Sequence, residues 1–527
     1  MFAGVCASGA GAVFGVVPDA RPGADRHSAR PPLPRNERPA RLDRLDALAP
    51  CVRLADLMVC MTRIALALLV ALLGSACSVS KSQPTTATPA PPARHVLSNG
   101  VRVVIQEHRS SDVVALQLWV KAGGRDETTS ELGLAHYLEH LLFKGTATRP
   151  TGFIDSEVEG VGGRMNAGTS LDYTYYHMVL PARRAVAGIE TLADISVNAS
   201  LDAQMLESEK RVVLEEMRFG EDNPSRFLLR QLYAAAFPDH PYGRAVIGQT
   251  AVIQRLTREQ LLGFYRRYYV PEAFTLVVVG AVQRDEVLAA ATRAFGRLPR
   301  VPSPRLPVPV PASGREGRVD LPRPVSHAYL ALGWLAPRID HADTPAVDLV
   351  VSILGQGRGS RLTQALRERL GVVNTISSGY AALEGAGLVS ITAQLDPRDL
   401  ERAEGAVLAE IERVRAEGVT ETERRRAVTA AEARRAFLTE TAEGRAWSLG
   451  QAETIWRLED ELAYVNRLRS VTAEQLRASA RRYFDPKRYI RVVFVPAIKP
   501  EHSRSPAVVP ERSEPSRAAE PPMPAHR

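Results

Sequence analysis

Two stretches of this chain repeat each other without a gap. Thr257-Arg-Glu-Gln-Leu261, Arg266-Arg267-Tyr268, Pro271 and Val277-Val278 align with Thr472-Ala-Glu-Gln-Leu476, Arg481-Arg482-Tyr483, Pro486 and Val492-Val493. In each copy a helix closes near a proline and an apolar strand follows. Identities held in register across a helix and a strand indicate a duplicated domain rather than chance similarity. The expected class is α+β, with two homologous α/β domains in tandem over residues 94–298 and 317–497, joined by a Pro-rich linker, 299–316.

The body has ordinary globular composition, 45% hydrophobic and 24% charged in a chain of 527 residues, enough for two sizeable cores. The net charge of +8 does not read as a nucleic-acid surface, because arginine and glutamate are interleaved along stretches such as Glu401–Arg435. The four cysteines, Cys6, Cys51, Cys60 and Cys77, all precede the body. Any metal held there must therefore be bound by histidine and carboxylate.

Residues 62–77 read TRIALALLVALLGSAC. A basic start at Arg63, an apolar run from Ile64 to Leu73 and a small-residue ending have the form of a secretory signal. The run is too short to span a bilayer, which takes about 20 residues. Its ending, Leu73-Gly-Ser-Ala-Cys77, resembles a bacterial lipoprotein signal, in which the cysteine is lipidated, although the leucine usually stands one place nearer. By the same resemblance Ser78 favours the outer membrane. The alternative is a cleaved signal that releases the protein into the periplasm. Because a signal acts at an N-terminus, translation is expected to start at Met61 or Met58, leaving residues 1–60 outside the folded protein. Residues 61–77 are then the signal, 78–93 a linker and 498–527 a disordered Pro/Ser/Glu/Arg-rich tail. The expected location is the bacterial cell envelope, with a lipid on Cys77 as the sole membrane attachment.

Strand patterns open the first unit: Val101, Val103 and Ile105 alternate after Asn99-Gly100, as do Val114, Leu116, Leu118 and Val120. The chemistry lies in His136-Tyr-Leu-Glu139-His140. Helical residues four apart share a face, so His136 and His140 can point at one ion with Glu139 beside them. Imidazoles suit Zn2+, which in catalytic sites has three protein ligands and a water. The ion acidifies that water, and a carboxylate such as Glu139 can take its proton. Leu132, Leu134, Leu138, Leu141 and Leu142 mark the helix as largely buried. Two histidines and a glutamate there would be costly without a metal or partners. The second repeat has no counterpart of this pair.

A third ligand should be acidic and come from another rigid element. Glu207–Glu216 reads ESEKRVVLEE, where Glu209 and Glu216, two helical turns apart, share a face with Val212 and Val213. Glu215 points elsewhere, beside Arg211 and Arg218. Such a cluster alone is more often solvated; beside the histidine pair it offers Glu216 as ligand and Glu209 as a partner that orients a histidine.

With these residues the chain resembles the pitrilysin family of inverzincins, which includes insulysin and the mitochondrial processing peptidases. It is most similar to short bacterial members related to the processing-peptidase β subunit. The resemblance covers roughly residues 94–497. It implies a pitrilysin-like fold, one Zn2+ per chain and peptide-bond hydrolysis with Glu139 as general base. Substrates would be unfolded peptides or extended segments, since the family builds a closed chamber from two domain pairs. The family's third ligand lies about 76 residues beyond the second histidine, the place of Glu216. Gly162-Gly-Arg-Met-Asn166-Ala167 resembles its substrate strand, where Asn166 and Ala167 would bind peptide backbone as an added strand. The competing reading of Asn166 is a turn residue.

In the second half, Ser360-Arg-Leu362 through Arg367-Glu-Arg369 to Ser377-Ser378 resembles the family's substrate clamp, an arginine followed seven residues later by a tyrosine. Arg367 is present, but the tyrosine position is Asn374, which is shorter; Tyr380 is a candidate substitute. Two assemblies follow: a heterodimer whose zinc-less partner supplies the arginine and tyrosine, or a homodimer in which Arg367 and Asn374 suffice. The heterodimer is favoured, because losing a transition-state donor commonly costs about a hundredfold in rate. A non-catalytic peptide-binding or assembly subunit is the alternative function. His177, His240 and His327 are expected to be structural. Gly355–Gly359 lacks the lysine of a phosphate loop.

Overall fold

The computed structural model describes residues 90–311 and 315–497. The signal-like segment with Cys77, the start at Met58 or Met61 and the C-terminal tail lie outside the described residues.

The first half forms a six-stranded sheet from β1 (Ala93–Val96), β2 (Arg102–Glu107), β3 (Val113–Val120), β4 (Arg164–Thr169), β5 (Thr174–Pro181) and β6 (Phe274–Gly280). Their order is β1-β2-β6-β3-β5-β4. The second half forms a five-stranded sheet from β7 (Gly317–Arg323), β8 (Ala328–Ala336), β9 (Thr375–Ala382), β10 (Gly387–Leu395) and β11 (Ile490–Pro496), ordered β7-β11-β8-β10-β9. With β1 set aside, the orders correspond strand for strand. Each sheet has one parallel pair, β2 with β6 and β7 with β11.

The helices of the first half are α1 (Leu134–Leu142), α2 (Phe153–Glu159), α3 (Ala185–Val197), α4 (Ala203–Asp222), α5 (Pro224–Ala236), α6 (Thr250–Arg255), α7 (Arg258–Tyr268) and α8 (Arg284–Phe295). Those of the second are α9 (Thr344–Gly355), α10 (Leu400–Glu417), α11 (Glu421–Leu438), α12 (Ala442–Ile455), α13 (Leu458–Ser470) and α14 (Ala473–Tyr483), with a π-helical turn at Thr363–Arg369. The sequence repeat falls on α7–β6 and α14–β11. Both helices start with the same device: Thr257 and Gln260, and Thr472 and Gln475, exchange side-chain and backbone hydrogen bonds as capping boxes.

The two halves exchange helices. From the first half, α5 packs on β8 and β11, and its Leu228 and Leu232 are buried with Ala331, Leu388, Val492 and Phe494. From the second, α12 packs on β3 and β6, where Ala446 and Leu449 join a core containing Trp119, Tyr175 and Val277. This crossing explains a departure from the strand pattern. Val104, Ala115 and Trp119, the intervening residues of β2 and β3, are as buried as Val103 and Leu116, because the sheet is covered on both faces.

Among its described residues the Pro-rich stretch has no regular secondary structure but is pinned to both halves. Arg305 reaches Asp126 at 3.1 Å and the Asp172 carbonyl at 2.7 Å, and its Nη1 lies 2.9 Å from Glu384. Arg125 donates to the Leu306 carbonyl, and His240 Nε2 lies 2.8 Å from that of Pro309. Among the described residues no helix is long and apolar enough to cross a membrane.

Candidate metal centre

Helix α1 carries the histidine pair through the core. It follows Gly133, whose φ of 96° lies in the left-handed region, and a Cβ there would meet the Ile247 carbonyl at 2.8 Å. The Glu127 carboxylate accepts the Gly133 and Ala135 amides at 2.8 Å each, satisfying donors exposed at the helix start. Leu134, Leu138, Leu141 and Leu142 are buried on α1, which fixes the opposite stripe, and Tyr137 donates its hydroxyl to the Leu206 carbonyl of α4. Helix α4 begins at Asp202, whose carboxylate caps the Gln204 and Met205 amides. It turns Leu206, Glu209, Val213 and Met217 inward. Val212, expected on that face, is 49% exposed: at 100° per residue it falls past the edge of the contact, while Val213 faces the core.

These two helices bring His136, His140 and Glu216 together, with one ligand atom from each within 4.8 Å of the others. Glu216 Oε2 lies 3.6 Å from His136 Nε2 and 3.5 Å from His140 Nε2, beyond good hydrogen bonds. Three ligands at about 2.1 Å from a tetrahedral ion would stand about 3.4 Å apart. Glu216 Oε2 is buried without a hydrogen-bond partner, an uncompensated acceptor that a cation would satisfy. The residues therefore fit Zn2+. Behind the pair, Glu209 Oε2 sits 3.3 Å from His140 Nδ1, and its Oε1 pairs with Lys144 at 2.9 Å. His136 Nδ1 has no such partner.

The electrostatics agree. Burial lowers the His136 imidazole to about 4. Burial acts the same way on His140, but Glu209 and Glu216 outweigh it and raise that ring to about 9. The cluster of carboxylates thus draws positive charge to itself. Burial pushes Glu139 up to about 7, although the hydroxyl of Thr169, which donates to its Oε2 at 2.6 Å, pulls the other way. A carboxylate poised near neutrality is suited to accept and return a proton. Thr169 escaped the sequence reading, since nothing separates one threonine at a strand end from its neighbours.

Asn166 and Ala167 lie on β4, the edge of the first sheet. Asn166 is a strand residue opposite His177, which corrects the turn reading. Glu443 at the start of α12 pairs with both Arg164 and His177, so the second half grips the neighbourhood of this strand. Arg367 and Asn374 are exposed at the π-helical turn and just before β9. Neither lines the cleft beside His136, to which the second half contributes Leu383. Tyr380 cannot replace the missing tyrosine: it is 8% exposed and donates its hydroxyl to the Pro337 carbonyl at 2.5 Å.

Residues 102–250 match Insulinase (Peptidase family M16), and residues 255–431 match the Peptidase M16 inactive domain. An uncharacterized zinc protease of Mycobacterium tuberculosis is 30% identical over 413 residues, 77% of this chain and 93% of that protein. Among solved structures, a protease from Helicobacter pylori superposes with a TM-score of 0.73 at 24% identity, covering 77% of this chain and all of that one. The M16 inactive domain from Pseudomonas fluorescens gives 0.71 at 22% identity, covering 77% and 98%. At these identities the structural likenesses speak for the fold alone.

Proposed function

The chain belongs to peptidase family M16, and on that premise we propose that it is a zinc-dependent endopeptidase of the cell envelope acting on unfolded peptides or extended segments. The observation that carries this reading is the buried Glu216 Oε2, without a hydrogen bond, facing both histidine Nε2 atoms at 3.6 and 3.5 Å. His136, His140 and Glu216 would hold one Zn2+, which when bound supplies Lewis acidity toward a carbonyl and toward water.

The protein's own groups do the rest. Thr169 fixes one oxygen of Glu139, leaving the other to take the proton of the attacking water and pass it to the departing amine. Glu209 holds the His140 ring from behind. The open edge of β4 at Asn166 and Ala167 receives the substrate backbone as an added strand, which brings an extended peptide alongside Thr169 and hence Glu139. Supporting an envelope location is the signal-like run before Cys77, with a lipid on that cysteine as the anchor.

That neither Arg367 nor Asn374 lines the cleft beside His136 favours a second subunit, lacking zinc, that supplies the donors to the substrate carbonyl; a homodimer is the other assembly. The deciding experiment is Glu139→Gln in the purified chain. It should retain one zinc per chain and lose hydrolysis, whereas His136→Ala should lose both. Unchanged cleavage by Glu139→Gln would rule out the proposed base. Peptide binding without cleavage by the zinc-loaded parent, with or without its partner, would favour a non-catalytic subunit.

A further inference from the structure

The cleft that opens beside His136 and Glu216 spans about 1160 Å3, its open mouth included, and carries an excess of positive charge. Its lining includes Arg226, Arg230 and Arg244, against Glu216 as the one carboxylate. Two of the arginines are committed. Arg230 pairs with Glu221 at 3.1 Å and lies over the Phe227 ring, and Arg244 donates to the Glu127 carbonyl at 2.6 Å. Arg226 differs. Asn223 accepts its backbone amide and so sets the first turn of α5, but its side chain is exposed and forms no ion pair among the described residues. It shares the cleft lining with Glu216, on which its charge acts. A cation held by Glu216 would compete for that charge and leave the guanidinium without a counter-ion.

We infer that Arg226 reads a carboxylate on the substrate close to the scissile bond. A guanidinium presents a planar fork of donors matched to a carboxylate, and one standing over a partly apolar cleft gains more from the pair than one in open water. The position follows from the chain path: Thr169, Ser170 and Leu171, which end and follow β4, also line the cleft, so a peptide laid along the β4 edge runs into it. The carboxylate belongs to an acidic side chain or to the peptide's own C-terminus. This inference rests on the peptidase reading for its substrate.

The test uses the zinc-loaded full chain and peptides that differ only by Glu, Gln or Lys at each of the positions flanking the cleaved bond, with free or amidated C-termini. The parent should prefer Glu at one position by about tenfold in kcat/KM, carried mainly by KM. A similar preference for free over amidated C-termini, with Glu and Gln peptides cleaved alike, would instead assign the carboxylate to the terminus. Arg226→Gln should abolish the discrimination and Arg226→Glu should invert it toward Lys, a gain that misfolding cannot imitate. Binding of the same peptides to the Glu139→Gln protein, followed by fluorescence anisotropy, gives a second readout independent of turnover. Cleavage or binding indifferent to these charges in the parent would overturn the role of Arg226. Absence of all cleavage would instead count against the peptidase reading, with the anisotropy series still deciding on Arg226.

Discussion

Glu209 stands 3.3 Å from Nδ1 of His140, while Glu216 stands 3.5 Å from Nε2 of the same ring. One imidazole thus has a carboxylate at each nitrogen, hydrogen-bonded at Nδ1 and set apart at a metal-ligand spacing at Nε2, and the two glutamates lie two turns apart on α4. A carboxylate behind a ligating histidine fixes its ring and raises its basicity. Glu209→Gln keeps the shape and removes the charge. It should weaken zinc about 10- to 100-fold with the fold intact, measured by competition with a chelator of known affinity. Lys144→Met, which removes the other partner of Glu209, should change affinity far less. Equal zinc affinity in parent and Glu209→Gln would reduce Glu209 to a surface partner of Lys144.

The crossed packing makes a separate prediction at Gly450 of α12. A Cβ there would lie 2.0 Å from Nε1 of Trp119, a fully buried ring that donates to Gln117 at 3.0 Å and stacks on Tyr175. Gly450→Ala gains about 1 kcal/mol of helix propensity, but the ring is hemmed in and the overlap should cost more, about 1–3 kcal/mol. Gly405 of α10 is the control, because nothing lies within 4 Å of its Cβ position. Gly405→Ala should raise the melting temperature and Gly450→Ala lower it. A Gly450→Ala protein as stable as the parent would show that α12 does not press on Trp119 closely enough to exclude one methyl group.

How far the sequence foretold this follows from what each signal can carry. The i, i+4 histidines and the glutamates seven apart define helix faces by period alone, and both lie where the period puts them. The repeat places the helix and strand of each copy, α7–β6 and α14–β11, while the capping boxes at Thr257 and Thr472 are local features that the repeat itself does not name. Periodicity states that a face is buried but not against what, so the crossing of α5 and α12 was invisible. Arg305 reads as one cation in a proline-rich stretch until Asp126, Asp172 and Glu384, far away in sequence, surround it. Tyr380 was open as a substrate ligand by spacing, and only its buried bond to Pro337 excludes it.

Asp348 supplies a prediction on pH. It lies on α9, 8% exposed, and accepts the hydroxyl of Tyr464 on α13. Burial raises its carboxyl to about 7, with the Tyr464 bond and the charge of Arg434 offsetting part of the effect. In the unfolded chain an aspartate titrates near 3.9. Below that pH both states hold the proton, so folding has no penalty from this group. As pH rises from about 4 to about 7 the unfolded chain releases the proton and the folded protein keeps it, so stability falls; above about 7 both are ionised and the loss is complete. A shift of this size corresponds to a few kcal/mol, since one unit is about 1.4 kcal/mol. Asp348→Asn can still accept from Tyr464 but cannot ionise. Its melting temperature should match the parent near pH 4 and exceed it at pH 8, and the difference between the two proteins should grow through this window. A constant difference from pH 4 to pH 8 would show that Asp348 does not titrate between the folded and unfolded states in this range.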